Sequence, residues 1–167
     1  MGIVHRPPQF IRPERPVVYL DGPTSYDVVS WRDEAIAILQ RLLPNVDIAD
    51  PVVPLDGRYD DPGQRAAFVA WRTSMIARAR VRGGILFHLP APKDAVRDEI
   101  AFIAALSLGE HLVYAMHGTW FAFSADLRFP CAALAMRQVE TSTPWVVPQA
   151  SLEGACARMA EMIATVP

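Results

Sequence analysis

Apolar runs and amphipathic segments alternate along the chain, and this pattern predicts its secondary structure. Predominantly apolar runs at residues 17–20, 85–89 and 112–116 are typical of strands that are buried on both faces of a parallel sheet. The run at residues 46–49, which contains Asp47, is a weaker candidate for the second strand. A shorter run at residues 145–147 suggests a final strand.

Between these runs, apolar residues recur every three or four positions, as they do in amphipathic helices. Capping residues mark three helix starts: Ser30 for the first helix, Asp61 followed by Pro62 for the second, and Ser151 for the last. The second and last helices should therefore begin close to residues 62 and 152.

The third helix is predicted to be short. It opens at Asp98 and is expected to stop at Gly109, because glycine is the usual residue just past a helix end. The pattern from residue 117 to residue 148 is too weak to assign elements, although the segment contains five apolar residues that we expect in a core: Phe121, Phe129, Leu134, Met136 and Val139.

Strands that alternate with helices predict an α/β fold, namely a three-layer sandwich with a mainly parallel, flavodoxin-like five-stranded sheet in the order 2-1-3-4-5. Residues 1–15 hold three prolines and three arginines and are expected to form a flexible arm, with residues 16–167 as a single domain. In this topology a ligand binds between the loops that follow the first and third strands. Those loops are residues 21–30 and 88–99.

Composition narrows the classes of function. The chain is 51% hydrophobic and 20% charged, with a formal net charge of −2, which predicts a globular protein without general attraction to nucleic acid or anionic membranes. Its two cysteines are too few for a disulfide framework. The longest apolar stretch, residues 100–116, is interrupted by polar residues, and the N-terminus lacks the apolar core of a signal peptide. We expect a cytoplasmic protein with no membrane partner.

Glu99 is the clearest candidate for a catalytic residue. It lies beside Asp98 at the start of the third helix, where the helix dipole favours the ionised carboxylate that attack on an electrophilic carbon requires. Acidic residues in a first helical turn also stabilise the helix without any further role, and that interpretation stays open.

The ends of the first and third strands supply further candidates. Tyr19 and Asp21 flank the exit of the first strand, Gly22 allows a ligand to approach the backbone, and His88 ends the third strand as a base or hydrogen-bond donor. Tyr19 and His88 also fit purely structural roles. Two tryptophans, Trp31 and Trp71, are expected mainly in the core, although one of them could stack on a base.

Several familiar motifs are absent from the sequence. It contains no glycine-rich phosphate loop after the first strand, no metal-ligand spacing of His, Cys and Asp, and no G-x-S-x-G turn. We therefore expect neither a metal nor a bound cofactor.

An ordered set of short motifs carries a family resemblance over residues 16–116. The set comprises residues 18–23 (VYLDGP), 30–32 (SWR), 53–56 (VPLD), Trp71, residues 87–90 (FHLP), and Glu99 with Gly109. Together they resemble the nucleoside 2-deoxyribosyltransferase family, whose members exchange the base of a 2′-deoxynucleoside through a covalent glutamate intermediate.

The resemblance implies roles for individual residues. Glu99 would be the nucleophile, Tyr19 would orient it, and Asp94 or Asp98 would hold the sugar or protonate the departing base. The substrate, a nucleoside or nucleotide, would contact residues from the matched motifs: Asp21, Gly22, Pro23, Trp31, Asp56, Trp71 and His88. An N-glycosidase that admits water and a non-catalytic nucleotide-binding module remain alternatives.

The sequence departs from the family in its basic residues. Arg72 follows Trp71 where the family often has an acidic residue, and Arg78, Arg80 and Arg82 crowd the end of the second helix. A basic rim of this kind suits a phosphorylated substrate, and it is equally compatible with an inactive relative of the family. Each arginine alone is also explained as a solvated charge on a helix surface. The family also assembles into oligomers, and the aromatic segment at residues 120–139 exceeds what a small core needs, so we expect a homodimer or a higher homo-oligomer.

Overall fold

Five parallel strands form one sheet in a computed structural model of the chain, which describes residues 2–8, 14–23, 28–52, 61–93 and 95–165. The strands are β1 (Val4–His5), β2 (Val17–Asp21), β3 (Asp47–Ala49), β4 (Gly83–Leu89) and β5 (Trp120–Ala125). Their order across the sheet is β1-β3-β2-β4-β5. The predicted α/β class with a parallel five-stranded sheet is confirmed.

Five helices cover the two faces of this sheet: α1 (Arg32–Leu42), α2 (Pro62–Val81), α3 (Asp98–Met116), α4 (Ala132–Ser142) and α5 (Leu152–Ala164). Helices α2, α3 and α4 pack on one face, and α1 and α5 pack on the other. Side chains alternate along each strand, so that Val17 and Tyr19 face the first layer while Val18 and Leu20 face the second. The result is a three-layer sandwich.

Helix capping was predicted correctly at two sites. The carboxylate of Asp61 accepts a hydrogen bond from the Gln64 amide at 2.9 Å, and the Ser151 hydroxyl accepts one from the Gly154 amide at 3.1 Å. The first helix differs, because α1 begins at Arg32 after an N-cap at Trp31 that makes no side-chain capping bond. The N-cap predicted at Ser30 was wrong by one residue.

The strand predicted at residues 112–116 is wrong, because α3 continues to Met116. A short apolar run does not by itself distinguish a strand from a buried helical turn. In the helix, Ala104, Leu108, Leu112 and Ala115 are buried at three- and four-residue spacing against the sheet and α4. Gly109 therefore lies inside the helix rather than at its end.

The outer strands also differ from the expectation. The order β3-β2-β4-β5 corresponds to the predicted 2-1-3-4, although the fourth strand lies at residues 120–125. The fifth strand is β1, inside the segment that was predicted to be a flexible arm. His5 of β1 is buried and pairs with Asp47 at 3.1 Å. No strand forms at residues 145–147, where Trp145 and Val147 are more than half exposed.

The unassigned segment contains β5 and α4. Phe121, Phe129 and Val139 are buried as expected, and Met136 packs against the same core. Leu134 is 65% exposed, so its assignment to the core was wrong. The sheet and α4 bury most of the apolar residues at 120–139, while Leu127 and Leu134 stay exposed.

Alanine substitutions at two glycines with similarly open surroundings test the length of α3. A Cβ atom added at Gly109 or Gly118 would meet no other atom within 4 Å, but only Gly118 has a positive φ, of 87°. We expect Gly109→Ala to raise the free energy of unfolding by about 0.5–1 kcal/mol, as in a helix interior. Gly118→Ala should lower it by about 1–2 kcal/mol, because alanine is strained in that conformation.

Urea denaturation at low micromolar protein concentration measures both changes. A loss of stability in Gly109→Ala as large as that in Gly118→Ala would show that the helix ends at Gly109.

Candidate functional site

A cavity of about 470 Å³ opens at the carboxyl end of β2, between α2 and α3. This volume is within the range of small-molecule sites. Its polar wall comes from the strand end and the facing helices, and its apolar wall comes from the first half of α3. The lining residues are Asp21, Gly22, Pro23, Arg72, Ile100, Ile103, Ala104, Leu106, Ser107 and Glu110.

Asp21 is the most extensively bonded of these residues. Its Oδ2 atom accepts hydrogen bonds from Ser107 Oγ at 2.8 Å and from His111 Nε2 at 2.6 Å. Its Oδ1 atom accepts the Gly22 amide at 2.7 Å, and Arg72 lies 3.7 Å from Oδ2. Because an ionised carboxylate can only accept, Nε2 of the fully buried His111 carries the proton that it donates to Asp21.

The surroundings hold Asp21 in its ionised form. Burial alone would raise the pKa of this carboxyl, but the hydrogen bond and charge of His111, the charge of Arg32 and the hydrogen bond of Ser107 outweigh burial. The net effect lowers the pKa of Asp21 from 3.8 to about 2. At neutral pH the cavity therefore contains a carboxylate, not a carboxylic acid.

A second carboxylate lies across Arg72. Glu110 accepts a hydrogen bond from Arg72 at 2.9 Å and another from the Tyr114 hydroxyl at 2.8 Å. Burial would raise the pKa of Glu110, but these two bonds and the charge of Arg72 lower it overall. Arg72 thus connects two ionised carboxylates, and its own charge is balanced by them.

Two of the predicted site residues lie beneath the cavity instead of lining it. Tyr19 is 1% exposed, and burial, with a further contribution from the charge of Asp21, raises the pKa of its phenol, which stays protonated. Trp71 is fully buried, and its indole nitrogen has no hydrogen-bond partner within the described ranges. In this structure a ligand in the cavity does not reach Trp71.

Glu99 and Asp98 are not among the residues that line the cavity. Both are exposed in the first turn of α3, and Glu99 is followed directly by Ile100, which lines the cavity. Among the residues that the structure describes, Glu99 has no hydrogen-bond or ion-pair partner. No hydrogen bond or ion pair to the described residues therefore holds this carboxylate in place.

Gly22 and Pro23 form the edge of the cavity that follows β2. Gly22 has a φ of 132°, and a Cβ atom there would lie 2.1 Å from the carbonyl oxygen of His88. Only glycine fits this approach. The carbonyl of Pro23 accepts the indole N–H of Trp31 at 3.0 Å.

His88 and Trp31 lie on the opposite face of the sheet, so the structure divides the predicted site residues between two places. They line a separate cavity of about 260 Å³ beside Asp126 and Ser151. His88 Nδ1 lies 2.9 Å from Ser124 Oγ, and burial lowers the pKa of the imidazole to about 4, which keeps it neutral at pH 7. The two remaining candidates, Asp56 and Asp94, lie outside the described residues.

Of the four basic residues singled out in the sequence, Arg72 lines the Asp21 cavity, whereas Arg78, Arg80 and Arg82 do not. Arg80 stacks on the ring of Tyr114 at 4.2 Å, and Arg78 and Arg82 line a different cavity with Arg15. Within the described ranges no group of three His, Cys, Asp or Glu side chains is arranged to hold a metal ion.

Sequence reasoning missed the part of the site that α3 contributes. Ser107, Glu110 and His111 were treated as interruptions of an apolar stretch, because the helix was expected to stop at Gly109. Their spacing of three and four residues places them on one helix face. A helix extended to residue 116 would have predicted that they meet Asp21.

Asp21→Asn tests the buried ion network. A carboxyl whose pKa is depressed by folding stabilises the protein above its unfolded pKa, near 3.8, and this contribution is lost as the pH falls through about 2. Wild-type protein should therefore exceed Asp21→Asn in free energy of unfolding by about 2 kcal/mol or more above pH 4.

The difference should shrink between pH 4 and pH 2, and denaturation at a series of pH values measures it. A difference between the two proteins that is constant from pH 6 to pH 2 would contradict the assigned ionisation of Asp21.

Comparison of the chain with protein-family models, with curated proteins and with solved structures finds no match. The function is therefore argued from the geometry of the Asp21 cavity.

Proposed function

We propose that the chain is an enzyme that cleaves or exchanges the N-glycosidic bond of a nucleoside, with Glu99 as the nucleophile. One observation carries the proposal: a cavity of nucleoside size at the carboxyl end of β2 has two ionised carboxylates in its wall, and the exposed carboxylate of Glu99 directly precedes Ile100 of the same wall. Two of the sequence motifs that resemble the nucleoside 2-deoxyribosyltransferases, residues 18–23 and Glu99 with Gly109, belong to this strand and this helix.

The two wall carboxylates suit the binding of a sugar. Asp21 and Glu110 are already held by donors from the protein, which makes them weak nucleophiles but leaves lone pairs that accept hydroxyl protons. The apolar side chains of Ile100, Ile103 and Leu106 supply the complementary surface for a base.

The charge of the wall favours a sugar without phosphate. Arg72 is the one cation among the described lining residues, and it is paired with both Asp21 and Glu110. A phosphate group would compete with these carboxylates for Arg72, and the net negative charge of the wall would repel it.

Glu99 meets the requirement for a nucleophile. A carboxylate oxygen would attack the anomeric carbon, forming a glycosyl ester while the bond from this carbon to the base nitrogen breaks and its electron pair leaves with the base. The base takes up a proton from solvent as it departs, and Asp98 or Asp94 is the proposed relay for this proton. An acceptor base then displaces the ester and returns the carboxylate. Two displacements at a carboxylate lower the barrier in retaining glycosidases in the same way.

Hydrolysis is the second candidate, and the exposure of Glu99 favours it. An ester at an exposed carboxylate is accessible to water, which would release the free sugar in place of a new nucleoside. The two reactions share the first step and differ in the second nucleophile.

Glu99→Gln and Glu110→Gln distinguish the proposed roles. Glu99→Gln should lower the rate of base release from a 2′-deoxynucleoside by roughly 10³-fold or more, because a neutral amide does not form the ester. Glu110→Gln should mainly raise KM, since it removes an acceptor from the wall. Glu153→Gln is the matched control, because Glu153 is an exposed residue in the first turn of another helix.

Free base and exchanged nucleoside are measured by chromatography with and without an acceptor base. A slow, fluorinated substrate should also leave one sugar on the peptide that contains Glu99. Near wild-type turnover in Glu99→Gln would end the assignment of the nucleophile. Nucleoside binding by calorimetry without any turnover in the wild type would instead identify a binding module.

A further inference from the structure

Three arginines line a cavity of about 340 Å³ at the amino ends of β2 and β4, which we call the arginine cavity. This volume is within the range of small-molecule sites. The charged residues of its described lining are Glu14, Arg15, Arg78 and Arg82. Three guanidinium groups and one carboxylate give this lining a formal charge of +2, whereas the whole chain has a formal net charge of −2. Positive charge is therefore concentrated at this cavity.

The sheet brings these arginines together from two distant parts of the chain. Arg82 directly precedes β4, and Arg15 lies two residues before β2. The Val17 amide donates a hydrogen bond to the Arg82 carbonyl at 2.9 Å, and Val17 pairs with Gly83 in the sheet. A Cβ atom at Gly83 would lie 1.9 Å from the Val17 carbonyl oxygen, so only glycine allows this approach. Backbone contacts therefore fix the segment of Arg15 beside the end of α2.

Arg78 and Arg82 lie one helical turn apart at the end of α2. The Arg82 amide donates to the Arg78 carbonyl at 2.9 Å, and side chains at this spacing are neighbours on a helix. The planar guanidinium matches the oxygens of a phosphate, and two neighbouring guanidiniums are able to bind the same phosphate group. Among the described residues, the exposed side chain of Arg82 has no hydrogen-bond or ion-pair partner. Its donors are available to a ligand.

Helix stability explains only part of this arrangement. Basic side chains in the last turn of a helix interact favourably with the helix dipole, which accounts for Arg78 and Arg80. Arg15 is not part of a helix, and its charge repels those of Arg78 and Arg82 across the cavity. Like charges that line a concave surface attract a ligand of the opposite charge.

The arginine cavity is separate from the candidate active site. The charged residues of the Asp21 cavity are Asp21, Glu110 and Arg72, so two carboxylates and one guanidinium give it a formal charge of −1. Arg72 and Arg82 are ten residues apart on α2 and its C-cap, or about 15 Å at the rise of an α-helix. A molecule in the arginine cavity is therefore a second ligand and does not occupy the Asp21 cavity.

We propose that the arginine cavity binds the phosphate group of a small sugar phosphate. Arg78 and Arg82 hold the phosphate from the end of α2, and Arg15 adds a third positive charge from the segment before β2. The hydroxyl of Ser74 and the side chain of Val81, which is 80% exposed, contact the rest of the ligand. The proposal is independent of the reaction at the Asp21 cavity.

Titration of the full chain with ribose 5-phosphate tests the site, followed in nuclear magnetic resonance spectra of the backbone amides. The signals of Arg15, Arg82 and Gly83 should shift and saturate, while those of Gly22 and Ser107 in the Asp21 cavity should stay in place. Ribose without phosphate should leave the signals of Arg15, Arg82 and Gly83 unchanged. The absence of saturable shifts at the arginine cavity, or equal shifts with ribose, would overturn the proposal.

Variants separate a specific site from general charge attraction. Arg82→Gln should weaken the binding of ribose 5-phosphate about tenfold or more, because it removes charged donors to the phosphate. Glu14→Gln should strengthen binding, since it removes a negative charge from the lining. Arg41→Gln is the matched control, because Arg41 is an exposed arginine in the last turn of another helix, and binding should stay unchanged. Equal weakening in Arg41→Gln and Arg82→Gln would contradict the proposed site.

A lipid headgroup is the other source of a phosphate. Flotation with vesicles of phosphatidylcholine and phosphatidylglycerol compares wild-type protein with Arg82→Gln. We expect both proteins to remain in the protein fraction, because a concave site of this volume admits a small molecule. A wild type that floats with the vesicles, while Arg82→Gln does not, would overturn the proposal in favour of a lipid.

Discussion

Donors from two helices and a backbone amide converge on the carboxylate of Asp21 at the end of the central strand β2. A carboxylate that is only 14% exposed is costly unless hydrogen bonds and opposite charges compensate. α2 supplies Arg72 for this purpose, and α3 supplies Ser107 and His111. The positions of both helices over the sheet, and the cavity between them, therefore depend on one ionised side chain.

This dependence explains why α3 has two different faces. Its inner face must carry polar residues near the middle in order to meet Asp21, and apolar residues elsewhere in order to pack on the sheet and α4. Its outer face is free of that requirement, yet it is apolar as well. The inner face, with Leu106 at its margin, builds the candidate active site.

Much of the fold follows from local patterns. The runs at residues 17–20 and 85–89 are strands, as short apolar runs flanked by glycine and proline usually are. Asp61 and Ser151 cap helices because their side chains accept hydrogen bonds from free backbone amides in the first helical turn. The error at residues 112–116 has a physical cause, since five apolar residues in succession satisfy a strand and a helix equally. Glycine in a helix interior costs only about 1 kcal/mol, so Gly109 did not stop α3.

The sequence by itself determined the α/β class and predicted a parallel sheet, because apolar runs that alternate with amphipathic helices are local patterns. It also predicted a candidate site at the end of β2. Only the tertiary structure decided which side chains meet there. Asp21 joins residues 51 to 90 positions away, while Trp31 and His88 face the opposite side of the sheet. Long-range pairing of this kind depends on strand order, on the length of α3 and on the alternation of side chains across the sheet, and each is settled by packing of the whole domain.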